Sequence, residues 1–295
     1  MNLEAPHFYN FVYSLQVQLN LEVKLLDFEN STALLLCAAK NPDLDFFETP
    51  LFQIIYYSVE AEHRISLTSI QELRIENPAL PELATKTIHI DEDTWLTKPD
   101  LMLARLRVHT GKARKIYARN TVLARIDKKM GMQFQMDNHL MVPLPGKYRY
   151  GLFHKGELVS IAVFSAGRNM KAKGPDYRSY ELLRTCHKQG VVVVGGLSKL
   201  LRQFVAEHKP SDIMTYIDKD WSDGGSFRSL GFEEVGQVEG QRFWVDQQHY
   251  RRYSLFDLPP EWAETLKHHP QSLKHQGIYP KFNAGSLKLV KKIYY

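Results

Sequence analysis

Residues 180–232 leave this chain the fewest ways to fold. Residues 180–186 read as a buried strand, Lys188-Gln189-Gly190 as a turn, and the four valines 191–194 run into Gly195-Gly196. From there the apolar residues change period. Leu197, Leu200, Leu201, Phe204 and Val205 fall at i, i+3, i+4, i+7 and i+8, which is one face of a helix. Pro210 stops that helix, and Ile213, Met214, Tyr216 and Ile217 give the next strand. Strand, glycine turn, helix, strand is the pattern of an α/β layer. Without Cβ atoms, two glycines let backbone N–H groups at the helix start face an anion, and the helix dipole adds attraction. A helix start packed against a neighbouring strand uses the same glycines, so the turn alone leaves both readings open.

The remainder of the chain divides by charge. Residues 1–104 carry 6 Lys+Arg against 16 Asp+Glu, residues 105–209 carry 21 against 6, and residues 210–295 balance at 11 each. A basic middle beside an acidic first third suits a polyanionic partner, either nucleic acid, with DNA ahead of RNA, or a phosphorylated cofactor. Mutual neutralisation of the two segments is the alternative. A chain of 295 residues is long enough for two domains. The first twenty residues hold only Glu4 as a charge, and no apolar run is long enough to span a bilayer, so neither a signal peptide nor a membrane partner is expected. Cys37 and Cys186 each lie in an apolar segment, which suits two free thiols and a cytoplasmic location.

In chain order, residues 8–21 suit a helix, 21–26 alternate like a strand, and 33–39 form a buried segment of either type. Residues 51–59 and 87–90 read as strands, and a helix starting near Asp93, Thr94 or Lys98-Pro99 runs through Leu101, Leu106 and Val108 to Gly111. Residues 1–110 thus make a small acidic α/β domain, and residues 111–295 a second domain with a C-terminal extension from about 254. His154-Lys155-Gly156-Glu157 is a hairpin turn by composition.

Four segments together resemble the GNAT acyltransferase fold: residues 158–164, Leu182-Leu183-Arg184, residues 195–201, and Phe227-Arg228-Ser229-Leu230-Gly231-Phe232. The resemblance implies an α/β (α+β) domain with a mixed, twisted sheet flanked by helices. A glycine-bearing loop before the central helix would hold the pyrophosphate of acetyl-CoA or another acyl-CoA. Residues 116–119, Asn138-His139-Leu140, 157–160 and 216–222 are similar, more narrowly, to the GNAT-like domain at the C-terminus of some phage homing endonucleases and to phage DNA-modification proteins. In those proteins a nuclease domain comes first. Residues 88–95, with Lys98 and Arg105, resemble its last strand and helix, while residues 1–80 lack the acidic and lysine set that would hold its metal. A degenerate nuclease-like domain is what that implies. Separately, Cys37 and Cys186 are not spaced for a metal site, and His268, His269 and His275 lack ligand spacing with any Cys or acidic partner, so no metal is expected. The chain departs from the GNAT pattern at the four valines and at Phe227, which stands where a proton-donating tyrosine is common and has no proton to give.

On these readings the donor site comprises Arg184, Val194, Gly195, Gly196, Leu197, Ser198 and Lys199, with Lys171 and Lys173 near the adenosine end. His139, titrating near neutrality, and Asp218, at a strand's C-terminal end, are candidate bases; the alternatives are a packed histidine and a helix cap. Tyr216 and Ser222 complete the catalytic candidates, with core packing and capping as their other roles. Arg114, Lys115, Arg119, Arg125, Lys128 and Lys129 can grip a phosphate backbone or form a solvated face. The expected activity is acyl transfer to an amine, with a base of a nucleic acid as one acceptor; the competing expectation is a non-catalytic nucleic-acid-binding protein of mobile-element origin.

Overall fold

A computed structural model describes residues 6–29, 31–41, 50–61, 63–65, 86–269 and 271–295. The chain begins with helix α1 (Pro6–Gln18), strands β1 (Leu21–Glu29), β2 (Thr32–Ala39), β3 (Phe52–Tyr57) and β4 (Thr87–Asp91), and helices α2 (Glu92–Thr97) and α3 (Pro99–His109). Strands β5 (Arg114–Tyr117) and β6 (Val122–Arg125) precede helix α4 (Lys128–Asn138). Strands β7 (Tyr148–His154), β8 (Glu157–Phe164), β9 (Arg168–Asn169), β10 (Arg178–His187) and β11 (Val191–Val194) lead to helix α5 (Gly196–His208) and strand β12 (Asp212–Asp218). A short helix α6 (Gly225–Arg228) and strands β13 (Glu233–Val238), β14 (Arg242–Asp246) and β15 (Arg251–Tyr253) follow. Helices α7 (Pro260–His268) and α8 (Ser272–His275) and strands β16 (Ile278–Phe282) and β17 (Ser286–Lys292) close the chain.

These elements form two compact units. The first comprises Met1–Pro99, Asp218–Ser222 and Glu239–Gly285; the second comprises Asp100–Ile217, Asp223–Val238 and Ser286–Tyr295. The class is mixed α/β, as the sequence implies.

In the first unit β1, β2 and β3 run antiparallel and β4 adds parallel to β3. Seven of the eight β2 residues and all six of β3 are buried, which suits strands covered on both faces. The segment at 33–39, open between helix and strand by its sequence, is therefore strand. On α1, Phe11 stacks on Tyr56 with ring centroids 5.0 Å apart and meets Trp95 edge-on at 5.1 Å. A second sheet joins β14 to β15 and β16.

Charge is buried here. Asp91, which ends β4, accepts from Arg64 and from Arg252, both at 2.8 Å; Arg252 also reaches Asp93 at 2.7 Å, and Arg64 lies 3.4 Å from Asp220. Glu92 accepts from the Val59 amide at 2.8 Å, and Lys281 donates to the carbonyls of Ser58 and Ala61. The strand and helix that carry the nuclease resemblance are β4 and α2, and their acids are held in these contacts. Among the described residues no group of three or more His, Cys, Asp or Glu is arranged to hold a metal. Among them also, no helix is long and apolar enough to cross a membrane.

The second unit is built on a sheet of order β13-β17-β12-β10-β8-β7-β6, with β9 beside β10. Alternation along the strands sends side chains to two faces. Toward α5 lie Tyr150, Leu152, Phe164, Tyr180 and Leu182, where Phe164 stacks on Phe204 at 3.8 Å; toward α4 lie Ile161, Val163, Leu183 and Cys186 around Phe134. The β7–β8 hairpin turns at Lys155 and Gly156, both with positive φ. Strands β13 and β17 carry no clear signal in the sequence: all six residues of β13 are exposed, and β17 alternates only through Leu287 and Leu289 among lysines. Both cysteines are free thiols, Cys37 buried and Cys186 half-buried.

Candidate functional site

The helix anticipated from Leu197, Leu200, Leu201, Phe204 and Val205 is α5, and all five residues face the core beneath it. Gly195 is its N-cap at φ 75°, left-handed, and no side chain caps the helix. A β-carbon on Gly195 would sit 3.7 Å from Ala118, while one on Gly196 would press Val193 at 3.0 Å. Gly195 thus satisfies the backbone turn, and Gly196 the close approach of helix to strand. The amides of Gly196, Leu197 and Ser198 fall in the first turn, where the helix supplies no carbonyl for them. Val194, just before the turn, is 41% exposed.

The turn stands next to a fork in the sheet. Parallel pairing of β10 with β12 covers only Ser179–Asp212, Tyr180–Ile213 and Glu181–Met214. Beyond those positions β10 pairs with β8, after a register shift between Leu182 and Arg184. Strand β12 continues as Thr215, Tyr216, Ile217 and Asp218. Thr215 is buried at the fork and donates to the Leu182 carbonyl at 2.9 Å; Tyr216, one residue on, is 42% exposed. In a parallel strand–helix–strand crossover the helix N-terminus lies at the carboxyl ends of the strands, so the uncapped mouth of α5 and the opening between β10 and β12 belong to the same edge of the sheet.

Two cations anticipated at this turn have their own partners. Lys199 donates to the carbonyls of Ala118 (2.9 Å) and Thr121, and lies 3.3 Å from the Thr121 hydroxyl, so its charge is held over the turn between β5 and β6. The Arg184 guanidinium donates to the carbonyls of Leu183 (2.8 Å) and Val142 (3.2 Å). Of the candidate bases, His139 is the C-cap of α4, and its Nδ1 accepts from the Met141 amide at 3.0 Å. Asp218 ends β12 and groups with the first unit; its carboxylate accepts from the Asp220 amide at 3.0 Å, and its carbonyl accepts from Trp221 and Ser222. Ser222 belongs to that unit too, and the N-cap of α6 is Gly224. Phe227 is buried, packed edge-on against Phe232 at 5.4 Å.

The six basic residues anticipated as a nucleic-acid face are all exposed. Arg114 stands 4.0 Å from Glu157, Arg125 is paired to Glu207, and Arg119 lies over the Tyr117 ring at 5.0 Å. Lys128 and Lys129 open α4 behind its N-cap Asp127. Lys115 sits on β5 beside Arg114.

No protein-family profile matches the sequence, and no curated protein does at a significant level. Solved structures similar to this chain include Arabidopsis thaliana Naa50 in complex with a bisubstrate analogue, at 11% identity over 59% of this chain and 99% of that one, with a TM-score of 0.36. An IAA acetyltransferase from Bacillus cereus has 11% identity over the same shares and a TM-score of 0.32. A GNAT family acetyltransferase from Elizabethkingia anophelis with acetyl-CoA bound has 9% identity, again over 59% and 99%, and a TM-score of 0.31.

Sequence reasoning did not single out Arg64, Asp220, Arg252 and Lys281, which hold the buried charges of the first unit. Nor did it find a cavity in the second unit lined by Arg105 and His187. Both depend on residues far apart in the chain.

Proposed function

We propose that the second unit is an N-acyltransferase of the GNAT type that moves an acyl group from an acyl-CoA donor to an amine. The fork between β10 and β12 beside an uncapped, glycine-started helix is the observation that carries this reading. The turn suits a pyrophosphate: the first-turn amides of Gly196, Leu197 and Ser198 have no carbonyl partner within the helix, and no side chain caps them. The bound donor supplies an activated thioester. Lys171 and Lys173, expected near the adenosine end, do not stand there. Lys173 is ion-paired at 3.3 Å to Asp212, which begins β12 beyond the C-terminal end of α5, while the turn at Gly195 is at the other end of that helix. Tyr216, on the part of β12 beyond its pairing with β10, orients the acceptor, and His139 removes the amine proton. Phe227, buried against Phe232, has no proton for the leaving thiolate, so that proton comes from another group.

Calorimetry and thermal melts with acetyl-CoA test the reading. Binding with a rise in melting temperature is expected. Ser198→Glu puts a negative charge among the first-turn amides; it should weaken binding by about tenfold or more without lowering stability, because an acid there suits the helix dipole. No heat, no thermal shift and no acyl transfer to a panel of amines would remove the proposal.

A second reading rests on the six exposed basic residues. They make the acceptor a nucleic acid base, or make the chain a nucleic-acid-binding protein without chemistry. Retention of duplex DNA that falls steeply with salt, and that weakens in Arg114→Ala/Arg119→Ala, is the expected result. Retention that ignores salt or both substitutions counts against it.

A further inference from the structure

We propose that the first unit holds a binding site for a short aliphatic carboxylate, in a cavity between the sheet of β14, β15 and β16 and the helices α7 and α8. The inference is independent of acyl transfer. Alternation along β14 puts Arg242 and Trp244 on one face of that sheet. Pairing with β16 sets Phe282 opposite Arg242 and Pro280 opposite Trp244, and Ile278, two residues before Pro280, shares the face. The two helices cover it: Trp244, Leu258, Leu273 and Ile278 form one buried cluster, with Trp262 and Leu266 packed against it. The cover is incomplete. A cavity of about 110 Å³ remains, floored by Trp244, Ile278 and Pro280 and roofed by Leu266 and Leu273.

Arg242 and Gln271, both exposed, stand at the mouth of this cavity, and among the described residues no Asp or Glu lines it. The guanidinium carbon of Arg242 lies 5.5 Å from the Trp244 ring centre and 5.2 Å from that of Phe282. Two aromatic rings thus hold the cation in place without using its N–H groups. Among the described residues no hydrogen bond or ion pair occupies those N–H groups or the Gln271 amide. A guanidinium that keeps its donors and is already oriented matches the two oxygens of a carboxylate. Size and lining decide the rest of the ligand. A void of about 150 Å³ takes benzene, so by the same ratio this one takes about four heavy atoms. Inorganic phosphate, polar on every side, would set oxygen atoms against Trp244, Leu266 and Leu273 with no donor to meet them. A short carboxylate puts its alkyl carbons on those residues and its charge on Arg242.

Propionate is the probe, and its neutral isostere propionamide is the control. Both are titrated into the full chain at constant ionic strength, and binding is followed through the indole N–H NMR signal of Trp244 on the cavity floor. A saturable shift is expected with propionate, while propionamide should bind about tenfold more weakly or less. Arg242→Gln should lose about tenfold in propionate affinity. Gln271→Glu, which sets a carboxylate at the mouth, should weaken propionate by a similar factor while the melting temperature holds. Both substitutions fall at exposed positions, and circular dichroism checks that the fold is kept. No saturable shift up to about 50 mM propionate, equal binding of propionamide, or unchanged affinity in Arg242→Gln would overturn the assignment.

Discussion

Residue scale holds the largest surprise, the acids of β4 and α2. The run Asp91-Glu92-Asp93 stands out in the sequence, yet nothing near it announces that it is buried. Its cations lie 27 residues away at Arg64 and 161 away at Arg252, and only the fold brings them together. Burial pushes the Asp91 carboxyl up, but Arg64 and Arg252 outweigh it and hold the group well below the usual carboxylate range. That contribution to stability is present above the unfolded pKa of about 4 and is lost as pH falls. Asp91→Asn leaves two buried guanidinium groups short of a counter-charge and should cost about 3–5 kcal/mol in urea unfolding at pH 7. A cost under about 1 kcal/mol would show that the pair is not buried in solution. Asp220 behaves in the opposite sense. Burial, aided by Asp218 and Asp91 and opposed by Arg64, pushes it up to about 7. The folded chain then binds that proton more tightly than the unfolded one, so the Asp220 contribution falls as pH rises from about 4 to about 7. Wild type should lose stability relative to Asp220→Asn over that interval, by about 2–4 kcal/mol between pH 4.5 and 7.5 in paired urea titrations. A difference that stays flat or grows with pH contradicts the raised pKa.

At the scale of elements, legibility followed periodicity. Helix α5 was readable because five apolar residues repeat at 3.6 and proline ends the run, and the β7–β8 hairpin because glycine marks its turn. The fork between β10 and β12 was not, since a strand's sequence does not record where its neighbour leaves it. Nor could spacing show that Lys199 turns toward carbonyls. Its amine meets oxygen atoms of Ala118 and Thr121, 81 and 78 residues earlier. Lys199→Met keeps the stem and removes charged hydrogen bonds, so a loss of about 1.5–3 kcal/mol is expected in urea unfolding. If binding of acetyl-CoA fell while stability held, the lysine would instead be serving the ligand. Thr215→Val tests the fork in the same manner. The Leu182 carbonyl would lose its buried donor, with a cost of about 1–3 kcal/mol, and an unchanged melting temperature would place that carbonyl in water.

The whole molecule is interleaved, and this shapes what a fragment can do. Strand β12 leaves the second unit at Asp218, residues 218–222 serve the first, β13 returns to the second, and residues 239–285 belong again to the first before β17 closes the large sheet. Composition gives no hint of these crossings, because most of the acidic first third and residues 239–285 of the balanced last third differ in charge while sharing one unit. Contacts across such separations are set by packing, and no local pattern encodes them. A fragment ending at residue 110 would keep β1 to β4 but lack Arg252, Asp220 and Lys281. Asp91 would retain Arg64 alone, and Asp93 would have no guanidinium at all. Removing one partner of a buried pair costs about 3–5 kcal/mol, a large share of the roughly 5–15 kcal/mol that holds a whole domain folded. The fragment should therefore give a collapsed amide NMR spectrum and no cooperative melt, whereas co-expression with residues 211–295 should restore dispersion. A well-dispersed, cooperatively melting fragment on its own would mean that the buried acids tolerate solvent, and that the first unit needs neither of its later segments.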